Sequence, residues 1–250
     1  MEYDKIKLRR KYPRRQLRIE QIGDFFMTYE IIGQTVPAVE VTLDCGESMY
    51  TQRGGMVWQT NGIKMNTNAR GGIGRSLGRI FTGESIFMAN YTSEVNGAKL
   101  AFGSTVPGCV VPVDISRGEM IVQKGSFLCA QQSVDLKATF TKKFTSGLFG
   151  GEGFILQRLF GKGIAFLEVD GDKVERFLAP GEVLKVDTGN VVAFETSVSY
   201  DVETVKGLGN IFFGGEGLFL TKLTGPGRII LQTQNFNDFA GRIVSRVPRG

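Results

Sequence analysis

The chain contains no histidine. That absence removes the Ser-His-Asp and Cys-His nucleophile arrangements, histidine zinc sites and the imidazole metal centres of cupin-like β-barrels. Cysteine is scarce as well. Cys45, Cys109 and Cys129 are odd in number and scattered, which matches neither a disulfide framework nor a C-x-x-C zinc pair. Three unpaired thiols in a reducing compartment are the simplest reading. No run of about 18 apolar residues occurs, so a transmembrane helix is not expected. The N-terminal segment has no apolar signal stretch, and its arginines are mixed with acids and Pro13 without serine, unlike a mitochondrial presequence. The expected location is the cytoplasm. Neither a G-x-x-x-x-G-K-[ST] loop nor a G-x-G-x-x-G loop stands at a strand-to-helix junction, and the GGEG segments place a carboxylate where a phosphate would be repelled. No cofactor or metal site is expected.

What the chain does have is glycine: 34 residues against seven prolines, in a sequence 42% apolar and 22% charged. The glycines punctuate short runs of Val, Ile, Leu and Phe, the pattern of closely spaced strands and tight turns. Helix is disfavoured, since each internal glycine costs about 1 kcal/mol relative to alanine. Only Ser76 to Phe81 and Thr145 to Phe149 read as short helical turns.

Self-comparison reveals three copies of one pattern with a period of roughly 65 residues. Each opens with strand residues leading to a Gly-Glu pair. Val39, Val41 and Leu43 precede Gly46 and Glu47; Val111, Val113 and Ile115 precede Gly118 and Glu119; Phe177 and Leu178 precede Gly181 and Glu182. A second Gly-Glu pair follows in each copy, at Gly83 and Glu84, Gly151 and Glu152, and Gly215 and Glu216, each running into an apolar strand. Alternation at period two puts the apolar side chains on one buried face. The expected fold is all-β, with three tandem strand-rich repeats forming β-sandwich or barrel-like sheets around a pseudo-threefold axis. The repeats span about residues 31–106, 107–170 and 171–236 within a core of residues 25–236, followed by a C-terminal tail of residues 237–250.

The net charge of +5 is local. Lys5, Lys7, Arg9, Arg10, Lys11, Arg14, Arg15 and Arg18 lie in the first 20 residues with Glu2, Asp4 and Glu20, and the rest of the chain balances at 22 basic and 22 acidic residues. Residues 1–24 therefore read as a basic arm, and those eight cations as candidate polyanion-binding residues toward nucleic acid or an anionic membrane surface. A solvated tail is the plain alternative.

Other groups read more simply. The six repeated glutamates suit turns whose backbone N–H groups they accept, although three equivalent carboxylates near an axis could also hold a hard cation. Arg70 to Arg79 carries three arginines among glycines and reads as a solvated connecting loop before an anion-wrapping one. Trp58, Phe212 and Phe213 read as core before base-stacking groups. Cys129 beside Leu128 reads as a small buried hydrophobe.

Four segments carry a wider resemblance: PAVEVTLDCGESMYTQRGGMVWQTNGI, GGEGFILQRLFGKG, PGEVLKVDTGNVVAFE and FFGGEGLFLTKLTGPGRIILQTQ. In this order they resemble the "altered inheritance of mitochondria" family over residues 28–236. The resemblance implies a β-rich triplicated fold similar to that of the tryptophan RNA-binding attenuation protein, with no established enzymatic activity. It supplies no RNA- or tryptophan-binding residues, since no segment matches those contacts, and the basic arm departs from members that start near Met27. The resulting expectation is a non-enzymatic binding or scaffold protein that self-associates through edge strands or sheet faces. The alternatives are a nucleic-acid-binding protein acting through the arm and, with no motif behind it, a carboxylate-dependent hydrolase.

Overall fold

In the computed structural model, residues 17–22, 25–52, 54–66, 88–142, 154–204, 219–244 and 246–247 are described. Their strands are short, because a glycine or a polar turn interrupts the apolar alternation every few residues. The first are β1 (Leu17–Ile22), β2 (Phe25–Ile32), β3 (Ala38–Leu43), β4 (Ser48–Thr51), β5 (Met56–Gln59), β6 (Ile63–Asn66), β7 (Ala89–Ser93) and β8 (Ala98–Gly103). Then come β9 (Gly108–Asp114), β10 (Met120–Gln123), β11 (Phe127–Gln131), β12 (Val134–Lys142), β13 (Phe154–Gly161) and β14 (Ile164–Asp170). The last are β15 (Lys173–Leu178), β16 (Val183–Asp187), β17 (Val191–Glu195), β18 (Ser199–Thr204), β19 (Phe219–Thr224) and β20 (Gly227–Gln232), followed by helix α1 (Phe236–Val244).

The protein is thus mostly β, in four antiparallel sheets. The first has the order β1-β2-β3-β8-β5, the second β6-β7-β4-β11-β14-β9, the third β12-β13-β10-β17-β20-β15 and the fourth β16-β19-β18. Consecutive sheets are glued face to face by three apolar clusters. Val41, Leu100 and Phe102 of the first sheet meet Met49, Ile164 and Phe166 of the second. Ala165 and Leu167 of the second meet Val122, Leu136 and Leu159 of the third. Phe154, Leu156 and Phe194 of the third meet Leu223 and Val202 of the fourth. Strand β14 shows how one sequence serves two cores: Ile164 and Phe166 turn toward the first sheet, while Ala165 and Leu167 turn toward the third. Its residues from Ile164 to Val169 are all buried. Each such apolar side chain contributes about 1.5–3 kcal/mol relative to exposure.

Two segments differ from their sequence description. Leu17–Ile22, assigned to the basic arm, forms β1 and pairs with β2, with Arg18 opposite Tyr29. Phe236–Val244, within the C-terminal tail and its border, is helical, opened by Asn235, whose Oδ1 accepts from the Asn237 amide at 3.0 Å. Phe177, expected on a buried face, is 71% exposed on edge strand β15.

Candidate functional site

Two joints hold the second and third sheets together at their middles. In the second sheet β4 pairs with β11, setting Tyr50 opposite Ala130 and Met49 opposite Gln131. In the third sheet β10 pairs with β17, setting Ile121 opposite Phe194 and Val122 opposite Ala193. Both receiving strands carry a bulge on their other side, where they meet β14 and β20. Between Phe127 and Cys129 the extra residue is Leu128, and between Val191 and Ala193 it is Val192. Both bulged side chains are buried, at 4% and 0% exposure.

Strand β5 has the same bulge against β8, between Met56 and Trp58, so that Val57 is the extra residue. Here the outer edge has no neighbour among the described residues. Val57 is 55% exposed and Trp58 40%. The matching open edge is β16, which among the described residues pairs only with β19 and leaves Val183 47% exposed. An unpaired strand edge is a row of free N–H and C=O groups, a template for another strand. Lys185 on β16 bonds Glu203 at 2.7 Å and keeps part of this edge charged.

Trp58 therefore does not sit in the core as its sequence context suggested. Its strand lies at a sheet rim, and its Nε1–H donates to Glu40 Oε2 at 2.9 Å. Lys99 Nζ holds the other oxygen of Glu40 at 2.7 Å.

The Gly-Glu turns divide into two kinds. Gly46 and Gly181 take left-handed φ values of 89° and 77°, and Glu47 and Glu182 donate their amides to the carbonyls of Asp44 and Ala179. Positive φ at the third residue, after Cys45 or Pro180, is the geometry that favours glycine. Each carboxylate folds back as an acceptor, Glu47 Oε2 from the Asp44 amide at 2.7 Å and Glu182 Oε2 from the Ala179 amide at 2.8 Å. The turn at Gly118 differs. There the strand ends at Asp114, Ile115–Arg117 forms a 3-10 turn, Gly118 is extended at φ 164°, and Glu119 instead takes Arg158. Gly83, Glu84, Gly151, Glu152, Gly215 and Glu216 lie outside the described residues. So do Lys5, Lys7, Arg9, Arg10, Lys11, Arg14 and Arg15, together with Arg70 to Arg79, Phe212 and Phe213. Arg18 is described only by its backbone on β1.

A cavity of about 400 Å³ opens where the first three sheets approach one another, lined among others by Gly55, Gln123, Glu168, Asp170, Gln232 and Asn235. Its acids are already committed. Glu168 Oε1 accepts from Ser104 Oγ, the Thr105 amide and Thr105 Oγ1 at 3.1, 2.6 and 2.5 Å. Asp170 Oδ2 accepts from the Phe236 amide at 2.9 Å. Burial pushes the Asp170 carboxyl up, the neighbouring Glu168 charge adds to the rise, and the Phe236 N–H opposes it. Two of the three thiols are muted: burial pushes Cys129 well up and Cys109 up, which disfavours the reactive thiolate, while Cys45 is exposed. Among the described residues, no three His, Cys, Asp or Glu side chains gather as a metal set, and no helix is long and apolar enough to cross a membrane.

The sequence missed the open edges. Gly55 and the apolar run from Met56 looked like the equivalent runs in the other copies, and pairing across a joint is invisible in a linear pattern.

These features define a mostly β protein of stacked antiparallel sheets in which, among the described residues, β5 and β16 each end a sheet without a partner strand on one side. The chain belongs to the Mitochondrial biogenesis AIM24 family, whose model matches residues 29–234. It is 30% identical over 220 residues to an uncharacterized protein of Streptococcus pyogenes serotype M6, covering 85% of this chain and 87% of that one. It is also similar to the crystal structure of a Streptococcus pyogenes protein solved by structural genomics, with a TM-score of 0.71 and 28% identity over 88% of this chain and 100% of that one.

Proposed function

We propose that this chain is a non-enzymatic binding scaffold, built from three copies of one six-stranded unit, that engages partners by strand addition at β5 and β16. Strand pairing supports the three copies. In the first, β3 pairs with β8, β4 with β7, β5 with β8 and β6 with β7. The second repeats this order as β9 with β14, β10 with β13, β11 with β14 and β12 with β13. The third repeats it as β15 with β20, β16 with β19, β17 with β20 and β18 with β19. The observation that carries the function is that β5 and β16 are the strands of this scheme left without their joint, and that Val57 and Val183 are exposed there. The lack of histidine and the muted thiols of Cys109 and Cys129 support a binding role over nucleophilic catalysis.

The test is a paired affinity capture from the native cell, with the wild-type chain and a Val57→Lys, Val183→Lys variant as baits. Proteins retained by the wild type and lost from the variant support the reading; identical sets of captured proteins sink it.

A second reading rests on the charge partition, with eight cations in the first 20 residues against a balanced remainder. In it the arm adds a salt-sensitive attachment to a nucleic acid or an anionic membrane surface.

A further inference from the structure

We propose that the outer edge of β16 on one copy of this chain pairs antiparallel with the outer edge of β5 on a second copy, joining the fourth sheet of one to the first sheet of the next. The proposal rests on the strand-addition reading above and names its partner as the chain itself.

Continuity with the internal joints carries the argument. The second and third sheets are each made of two three-strand halves, one ending in β4 or β10 and the other beginning with β11 or β17. The fourth sheet is a half of the first kind, ending in β16, and the first sheet presents a half of the second kind, ending in β5. Each copy therefore carries one of each unfilled half-joint. Apolar exposure follows the same logic: Leu128 and Val192 are covered where a strand crosses the joint, and Val57 at the same bulge position is not.

Pairing within one chain is disfavoured by the order of the layers. The three core clusters link the first sheet to the second, the second to the third and the third to the fourth, and none of them combines residues of the first and fourth sheets. The unfilled edges of β5 and β16 thus belong to the two ends of the series. Joining unlike ends makes a heterologous, head-to-tail contact, which propagates until a ring closes or a filament grows.

The internal joint also predicts a register. Tyr50 follows Glu47 on β4 as Lys185 follows Glu182 on β16, and Ala130 follows the bulge on β11 as Gln59 follows it on β5. Since Tyr50 stands opposite Ala130 and Met49 opposite Gln131, Lys185 of one copy stands opposite Gln59 of the next, and Leu184 opposite Thr60. Directly opposed residues bring their Cβ atoms to about 4.5–5.5 Å, close to disulfide range.

The experiment uses the full chain with exposed Cys45 replaced by Ser. Gln59→Cys and Lys185→Cys are introduced separately, both at exposed rim positions, and the two variants are mixed under mild oxidation. The expected result is a disulfide-linked dimer holding one chain of each variant, at least about tenfold more abundant than the linked dimer from either variant alone. Light scattering of the unmodified chain is expected to show a mass above one copy that falls on Val57→Lys substitution. Equal crosslinking in mixed and unmixed samples, a double variant that closes on itself as a monomer, or a monomeric unmodified chain would each overturn the proposal. Loss of the crosslink alongside differential capture by the two baits would remove self-pairing and keep the edges as docking strands for other proteins; failure of both removes the edge reading itself.

Discussion

The hydroxyl of Thr51 donates to the carbonyl of Leu128 at 2.6 Å, fully buried, across the joint between β4 and β11. The bond ties the last residue of one half-sheet to the bulged residue of the other. Thr51→Val keeps the shape and removes the donor, so the chain is expected to lose about 1–2 kcal/mol of stability. Urea titration with an unchanged slope and a lower midpoint is the check.

The turns at Gly46 and Gly181 rely on glycine for their positive φ and on the following glutamate for an acceptor. Gly181→Ala is expected to cost about 1–2 kcal/mol. Glu182→Ala should cost about 0.5–1.5 kcal/mol, with most of that recovered in Glu182→Gln, which retains an acceptor. Gly118→Ala meets an extended backbone with nothing within 4 Å of the added carbon and should cost less than Gly181→Ala. Calorimetry on the four variants orders them.

Asp170 supplies a pH dependence with a definite sign. Its folded-state pKa is raised, mainly by burial, so it favours the protonated form in the native state. That contribution to stability is complete below the unfolded carboxylate range and is lost as pH rises through the folded value. Asp170→Asn retains an acceptor for the Phe236 amide and cannot ionise. It is expected to melt higher than the wild type at neutral pH, with the gap narrowing as the solution is acidified. A gap that widens in acid would contradict the assignment.

The basic arm makes a prediction about salt. Removing residues 1–16 takes away Lys5, Lys7, Arg9, Arg10, Lys11, Arg14 and Arg15 and retains β1 from Leu17. Thermal stability is expected to stay the same. If all seven cations meet duplex phosphates, the log-log salt slope of DNA binding is roughly −6 in the full chain, at about −0.9 per contact, and shrinks toward zero in the truncated one. Parallel titrations with RNA and anionic vesicles show which surface the arm prefers.

The strand content of this protein was legible in the sequence, because backbone alternation is a local property. Val39, Val41 and Leu43 announce a buried face by spacing alone, and all three are buried. The lack of histidine and the scattered cysteines likewise bounded the chemistry without any fold. Turn chemistry was legible where the local geometry is complete in four residues, as from Ala179 to Glu182, and not where a 3-10 turn precedes Gly118 and the distant Arg158 takes Glu119.

What only the tertiary structure decided is which strands face which. Val57, Leu128 and Val192 are similar apolar residues at similar places in similar strands, and nothing local separates them. Whether such a side chain is buried depends on a strand brought alongside from a distant part of the chain, and tertiary pairing supplied that neighbour to β11 and β17 and withheld it from β5. The sequence determined that strands of this kind would form; long-range hydrogen bonding across the joints determined which edges were consumed in folding and which stayed open among the described residues.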